Sequence, residues 1–227
     1  HSPQHPYDLM PEQTTYSEWE RSRFAQGGVM FSDGRFGGNH PTGLMEECQD
    51  CHMPDKVAGG CFLWENPPWF ERQDLGFHGF LGANTWVLRA VRDLYSDFDT
   101  NLSEPLVDAA IARTEDFLRA ASDMEAVQYG NEIKVRVINY SGHKLPTGYP
   151  EGRRMWINVQ FLDIAGAVID ERGEYDYLTG DLIAGDTKVY EAIHGMDPTV
   201  AGATGLPAGP SGHLALNNVI FKDNRIP

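Results

Sequence analysis

Cysteine is scarce here: the 227 residues contain three, and three thiols cannot all pair with one another, which argues against a disulfide-stapled scaffold. Positive charge is also short. Eighteen Lys and Arg stand against 33 Asp and Glu, a formal net charge of −15, and a chain so acidic lacks the clustered cations that phosphate backbones require, so a nucleic-acid partner is not expected. No apolar run reaches the ~18 residues of a membrane span, and no charged-then-apolar leader precedes His1. With 41% hydrophobic and 11% aromatic residues, the chain is too apolar for a disordered one. There is no initiating Met; the opening "HSPQHPYDLM" and the closing "KDNRIP" read as cuts in something longer or processed.

Regular periodicity is missing from the first hundred residues, where stretches such as "GRFGGNHPTG" and "GGCFLWENPPWF" favour turns. Loops this long need an organiser, and a large apolar cofactor would serve. Helices are expected from Ser17 to Gly27 and within "GANTWVLRAVRDLY", capped by Asn84 or Thr85. The strongest helix pattern is "SEPLVDAAIARTEDFLRAASDMEAV", with Ser103 as N-cap, Pro105 in its first turn and Leu106, Ala110, Ile111, Phe117, Leu118 and Ala121 along one stripe. Beyond "YGN" the period becomes two: Ile133, Val135 and Val137 alternate with Lys134 and Arg136, and Ile157, Val159 and Phe161 repeat the pattern before a "DIAGAV" turn. The fold class expected is α+β. A loop-rich region with a few helices (1–101) and a connecting helix (102–129) should precede a mostly antiparallel, β-sandwich-like domain (130–227).

Two of the three cysteines fall in "EECQDCHMP", where Cys48, Cys51 and His52 spell C-x-x-C-H. That spacing suits a c-type haem: two sulfurs form thioethers to the porphyrin vinyl groups and the following imidazole reaches iron from the same short turn. Two rivals stay open. A redox dithiol normally has Gly or Pro between its cysteines in a strand-to-helix setting, and a zinc site needs a second ligand pair, which Cys61 and a distant His could supply. Cys61 reads more simply as a buried apolar thiol near Phe62, Trp64, Trp69 and Phe70.

Taken in order, "TTYSEWERSRFAQGG…CQDCHMP", "FHGFLGANTWVLRAV", "VRVINYSGHKLPTGYPEGRRMWINVQFLD" and "ALNNVIFKDNRIP" resemble the C-terminal region of a family of bacterial multihaem c-type cytochromes, over nearly the whole chain. The resemblance implies haem c on Cys48 and Cys51 with His52 as proximal ligand, and further haems on neighbouring segments or subunits. It also implies redox partner proteins, and export to the periplasm or the cell exterior, where covalent attachment occurs. "HSP" commonly continues a C-x-x-C-H in this family, so His1 is a candidate proximal ligand for another haem. One departure stands out: family members often carry a ligating His after a Ser upstream of the motif, whereas this stretch reads Ser22, Arg23, Phe24, Ala25.

Low-spin electron-transfer haems take two strong axial ligands. The resemblance points first to His78 in "FHGFLGAN" and then to His143 in "NYSGHKLPTG"; either could serve a haem other than the one on Cys48 and Cys51. His40 and His194 are weaker iron candidates, and His5 and His213 read as solvent or turn residues. Met53 is too close in sequence to His52 to ligate the same iron. Arg153 and Arg154 either pair with haem propionates or carboxylates or sit on a solvated turn. Glu46, Glu47 and "DERGEYD" read as solvated acidic faces; a calcium ion in an acidic loop is conceivable, but no EF-hand spacing supports it. Three functions follow: an electron carrier, favoured; a haem enzyme with an open coordination site acting on a small nitrogen or sulfur compound; and a β binding module stapled by haem.

Overall fold

The computed structural model describes residues 12–37, 42–59, 71–183, 185 and 187–227. Among them are six α-helices and several small antiparallel sheets, with no closed barrel. The chain divides into two compact units, one of Glu18–Gly142 and one that joins the residues up to Ser17 to His143–Pro227.

α1 (Thr15–Glu20), whose residues from Glu18 onward belong to the unit of 18–142, gives way to turns rather than running on to Gly27, with the Arg21 and Ser22 N–H groups bonding back three residues to Glu18 and Trp19 at 3.2 and 2.8 Å. Two short strands, β1 (Val29–Met30) and β2 (Leu44–Met45), pair antiparallel. The next helix, α2, is the single turn Cys48–His52. A hairpin-like pair, β3 (Asp55–Gly59) and β4 (Glu71–Gly76), follows. The helix foreseen in "GANTWVLRAVRDLY" is α3 (Val87–Leu94), but its N-cap is Trp86 rather than Asn84 or Thr85; Asn84 stands two residues earlier, its Oδ1 accepting from the N–H groups of Trp86 and Val87 at 3.2 and 2.9 Å. After the short α4 (Asp97–Thr100) comes α5 (Glu104–Ala121), with Ser103 at the N-cap as its sequence requires.

Two features of α5 differ from the sequence pattern. Its buried stripe is Val107, Ile111 and Thr114, while Leu106 and Leu118 are exposed. And it stops at Ala121, because Ser122–Tyr129 forms strand β5, paired over its whole length with β6 (Glu132–Asn139). The two-residue connection begins with Gly130 at φ 63°, the sign that a type II′ hairpin turn demands. Eight paired residues in β form outweigh the helix propensity of "MEAV". The core of this unit is Phe24, Phe36 and Met45, covered by Trp19, Val29, Phe31, Cys51, Phe117, Ala120, Ala121 and Tyr140.

In the other unit, β7 (Arg154–Met155) pairs with β10 (Tyr190–Met196), which is flanked by β11 (Gly209–Pro210) and β12 (Val219–Asp223). A separate hairpin joins β8 (Val159–Leu162) to β9 (Val168–Arg172) through the expected turn, where Asp163 accepts from the backbone of Ala165 and Ala167. The last helix, α6 (Pro198–Thr204), starts at Asp197, whose carboxylate accepts from Thr199 and Val200 N–H at 2.8 and 2.9 Å. β10 carries the buried face, with Ala192, His194 and Met196 each at most 2% exposed.

Candidate functional site

The segment of interest begins at Met45, which is fully buried in the core, and turns immediately into α2. That turn is tied at its base. Asp50 accepts from the N–H groups of Glu46 and Glu47 at 2.6 and 2.8 Å, and the indole of Trp19 donates to the Glu46 carbonyl at 2.9 Å. Asp50 thus closes donors that a helix start otherwise leaves unmet. One helical turn brings Cys48, Cys51 and His52 onto one short element, with Cys48 exposed and Cys51 half-buried.

Cys51 leans inward. Its Sγ lies 3.5 Å from the Met45 Sδ, and burial pushes its thiol up to about 12. A thiol so reluctant to ionise is a poor partner for disulfide exchange, which runs through the thiolate. Among the described residues no group of three or more His, Cys, Asp or Glu gathers as a metal ion would require.

His52 is oriented by two contacts from distant parts of the chain. Its Nδ1 donates to the carbonyl of Leu81, so Nε2 is the lone-pair nitrogen of the neutral ring. Its ring packs against Phe117 on α5, centroids 5.1 Å apart and the planes tilted by 56°. The Leu81 N–H in turn donates to the His52 carbonyl at 3.1 Å, and Phe77 N–H donates to Pro54 at 3.1 Å. The "FHGFL" stretch is therefore clasped to the end of α2 on both sides of β3 and β4. The fit to a covalent haem is good on chemistry: both thiols and an imidazole with a defined lone pair occupy one turn, and a carbonyl orients that imidazole from behind.

A small strained loop backs this arrangement. Phe36, within the 3-10 turn Arg35–Gly37, is a non-glycine residue at φ 61° and only 7% exposed, a conformation that costs about 1–3 kcal/mol and persists where the surroundings over-determine it. Its ring packs on Phe117 at 5.4 Å and on Phe31 at 5.7 Å. Arg35 donates to the Ala120 carbonyl at 2.8 Å and to Asp123 at 3.0 Å, and its guanidinium sits 4.1 Å above the Tyr140 ring. It thereby satisfies a C-terminal carbonyl of α5 and faces the negative end of that helix.

The remaining sequence candidates are dispersed. His78 is exposed and stacks on Phe80 at 5.8 Å. His143, in the other unit, is half-buried with Nδ1 at 3.1 Å from the Lys144 carbonyl. His194 is fully buried on β10, where a bulge lets one Glu151 oxygen accept from both its backbone N–H and its Nδ1 at 2.7 Å, with Tyr149 stacked parallel. His213 is exposed, at the start of a 3-10 turn. His1, His5, His40 and Cys61 lie outside the described residues. Arg154 donates to the Gly180 carbonyl and lies 5.6 Å from the Trp156 ring. Neither it nor Arg153 makes a salt bridge among the described residues. Met53 packs over Gly76. Phe24 is buried in the core, and Ser22 accepts from its N–H at 3.2 Å.

Sequence reasoning missed Leu81 and the role of Phe117. A backbone carbonyl has no sequence signature; Phe117 was visible on the α5 stripe, but nothing local marks which ring it meets. No protein-family model, curated protein or solved structure matches this chain.

Proposed function

We propose that the chain is part of a multihaem c-type cytochrome that carries electrons, with haem c bound through Cys48 and Cys51 and His52 as its proximal axial ligand. One observation carries the reading: both thiols and the imidazole share a single helical turn, and the Leu81 carbonyl fixes the ring with Nε2 as its lone-pair nitrogen. When bound, the haem supplies a one-electron ferric/ferrous couple. The chain's part would be to orient the imidazole through the Leu81 carbonyl and to hold Cys51 against Met45 at the edge of the core.

His78 and His143 are the proposed distal histidines. Leu81 backs His52 from its Nδ1 side, and three extended residues reach at most ~11 Å, so His78 is better placed for a second iron than for the opposite face of the first. Other haem-bearing segments or subunits and redox proteins are the proposed partners, and the periplasm or cell exterior the proposed location. A sandwich-like stacking of the β8–β9 hairpin on the sheet of β7, β10, β11 and β12 belongs to the same proposal.

The deciding experiment is intact mass with a visible spectrum on chain matured in an export host equipped for haem attachment. A mass above the bare polypeptide by one haem, lost on Cys48→Ala plus Cys51→Ala, is expected; a colourless product with the bare mass overturns the reading. A second reading, a haem enzyme with an open coordination position, is favoured by the burial of Phe24 in the stretch where the resembled family places a ligand. Rapid cyanide or nitric oxide binding supports it over a closed bis-histidine iron.

A further inference from the structure

Phe117 touches two rings at once, those of His52 and Phe36. The α5 turn that bears it is gripped three residues further on, where Arg35 donates to the Ala120 carbonyl at 2.8 Å. Arg35 is held in its turn by Asp33 at 3.2 Å and Asp123 at 3.0 Å, with its side chain 13% exposed. The backbone of Phe36 is locked in the left-handed region, and a Cβ on the next residue, Gly37, would come within 3.0 Å of Pro54, two residues beyond His52. The 33–37 loop therefore presses on α5 and on the end of α2 together. An imidazole gripped at one edge by a carbonyl and packed against a neighbouring ring cannot turn about its Cβ–Cγ bond without breaking the first contact or displacing the second.

We propose that Phe117 is a positioning residue for His52. Seated by the Arg35–Phe36 clamp, it keeps the imidazole in the Nδ1–H tautomer, against the ordinary preference of a neutral imidazole for Nε2–H, and so presents Nε2 as the ligating nitrogen. This deepens the haem reading and rests on it for its purpose, but the orientation itself belongs to the polypeptide.

The test uses the unmatured full chain, without haem, and long-range ¹H–¹⁵N correlation of its histidine rings near neutral pH. In the wild-type chain His52 should give the Nδ1–H pattern. Phe117→Leu should lose it, giving an Nε2–H or averaged pattern, while Phe117→Tyr retains it and the His194 pattern stays unchanged in both. Should Phe117→Leu fail to fold, Arg35→Gln decides, because it releases the same turn of α5 and should weaken the pattern likewise. A His52 pattern unchanged in a folded Phe117→Leu or Arg35→Gln chain overturns the proposal. In matured protein the same Phe117→Leu should shift the midpoint potential and the axial-ligand features of the low-spin spectrum. Unchanged values there also count against it. Absence of haem after maturation, with the tautomer change present, removes the haem reading and leaves the positioning of His52 standing.

Discussion

Asp223 sits at the end of β12 and receives two parallel hydrogen bonds from Arg225, Nε and Nη2 each at 2.9 Å, and one from Lys144 at 2.8 Å. The Arg225 side chain is 1% exposed, and its other donors reach the Pro146 carbonyl at 3.2 Å and the Thr14 hydroxyl at 3.3 Å. The pair therefore staples the segment before Ser17 to the end of the same unit. Asp223→Asn removes the carboxylate that takes two hydrogen bonds from the buried Arg225 guanidinium, and breaking a buried pair from one side costs about 3–5 kcal/mol. The half-exposed Lys144 contact adds little, about 0–1 kcal/mol. For a chain of this size each kcal/mol lowers Tm by about 2–4 °C, so a drop of roughly 6–20 °C is expected, with faster amide exchange along β10 and β12. The hydrogen bonds from Arg225, and then from Lys144, hold the Asp223 carboxyl well below the usual range. A depressed folded value means that the contribution is fully present above the ordinary carboxylate value of ~3.9 and disappears as pH falls from there through the depressed one. The gap between wild type and Asp223→Asn should narrow only below about pH 4. A difference under about 1 kcal/mol at pH 7, or one that stays constant from pH 5 to pH 2, would refute the assignment of a stabilising buried pair between Asp223 and Arg225.

Met45→Ala should cost about 2–5 kcal/mol in urea denaturation, because Met45 is fully buried in the core with Phe24 and Phe36 and its loss leaves a cavity. Gly173→Ala should lower stability by at least 1–3 kcal/mol in the same assay: Gly173 has φ 73°, and a Cβ there would meet the Ile157 carbonyl at 2.5 Å. In unmatured chain, iodoacetamide should modify exposed Cys48 well before half-buried Cys51, resolved by peptide mass mapping at pH 8; equal rates would contradict the inward lean of Cys51.

The helices whose starts carry side-chain signals were legible in the sequence. Ser103 marks the start of α5 correctly, Asn84 lies two residues before the actual N-cap of α3, Trp86, and the "DIAGAV" turn joins two strands as its Asp and Gly require. "MDPTV" carries the same kind of signal, Asp197 followed by proline, and would have given α6. The end of α5 was not legible, since Ser122–Tyr129 is helix-compatible locally and becomes a strand only through its partner across Gly130. The candidate site divides the same way. Cys48, Cys51 and His52 are local and announce themselves. The groups that hold His52 come from 29 residues away along the chain and from α5, and no periodicity encodes such a meeting.

The two-way bonding between His52 and Leu81 turns the intervening excursion into a latch whose closed end is the imidazole itself. Peeling β4 from β3 would slacken the His52 ring without disturbing either cysteine, through a local opening far cheaper than global unfolding. The speed of that opening would set how long the imidazole keeps one orientation and presents the same nitrogen.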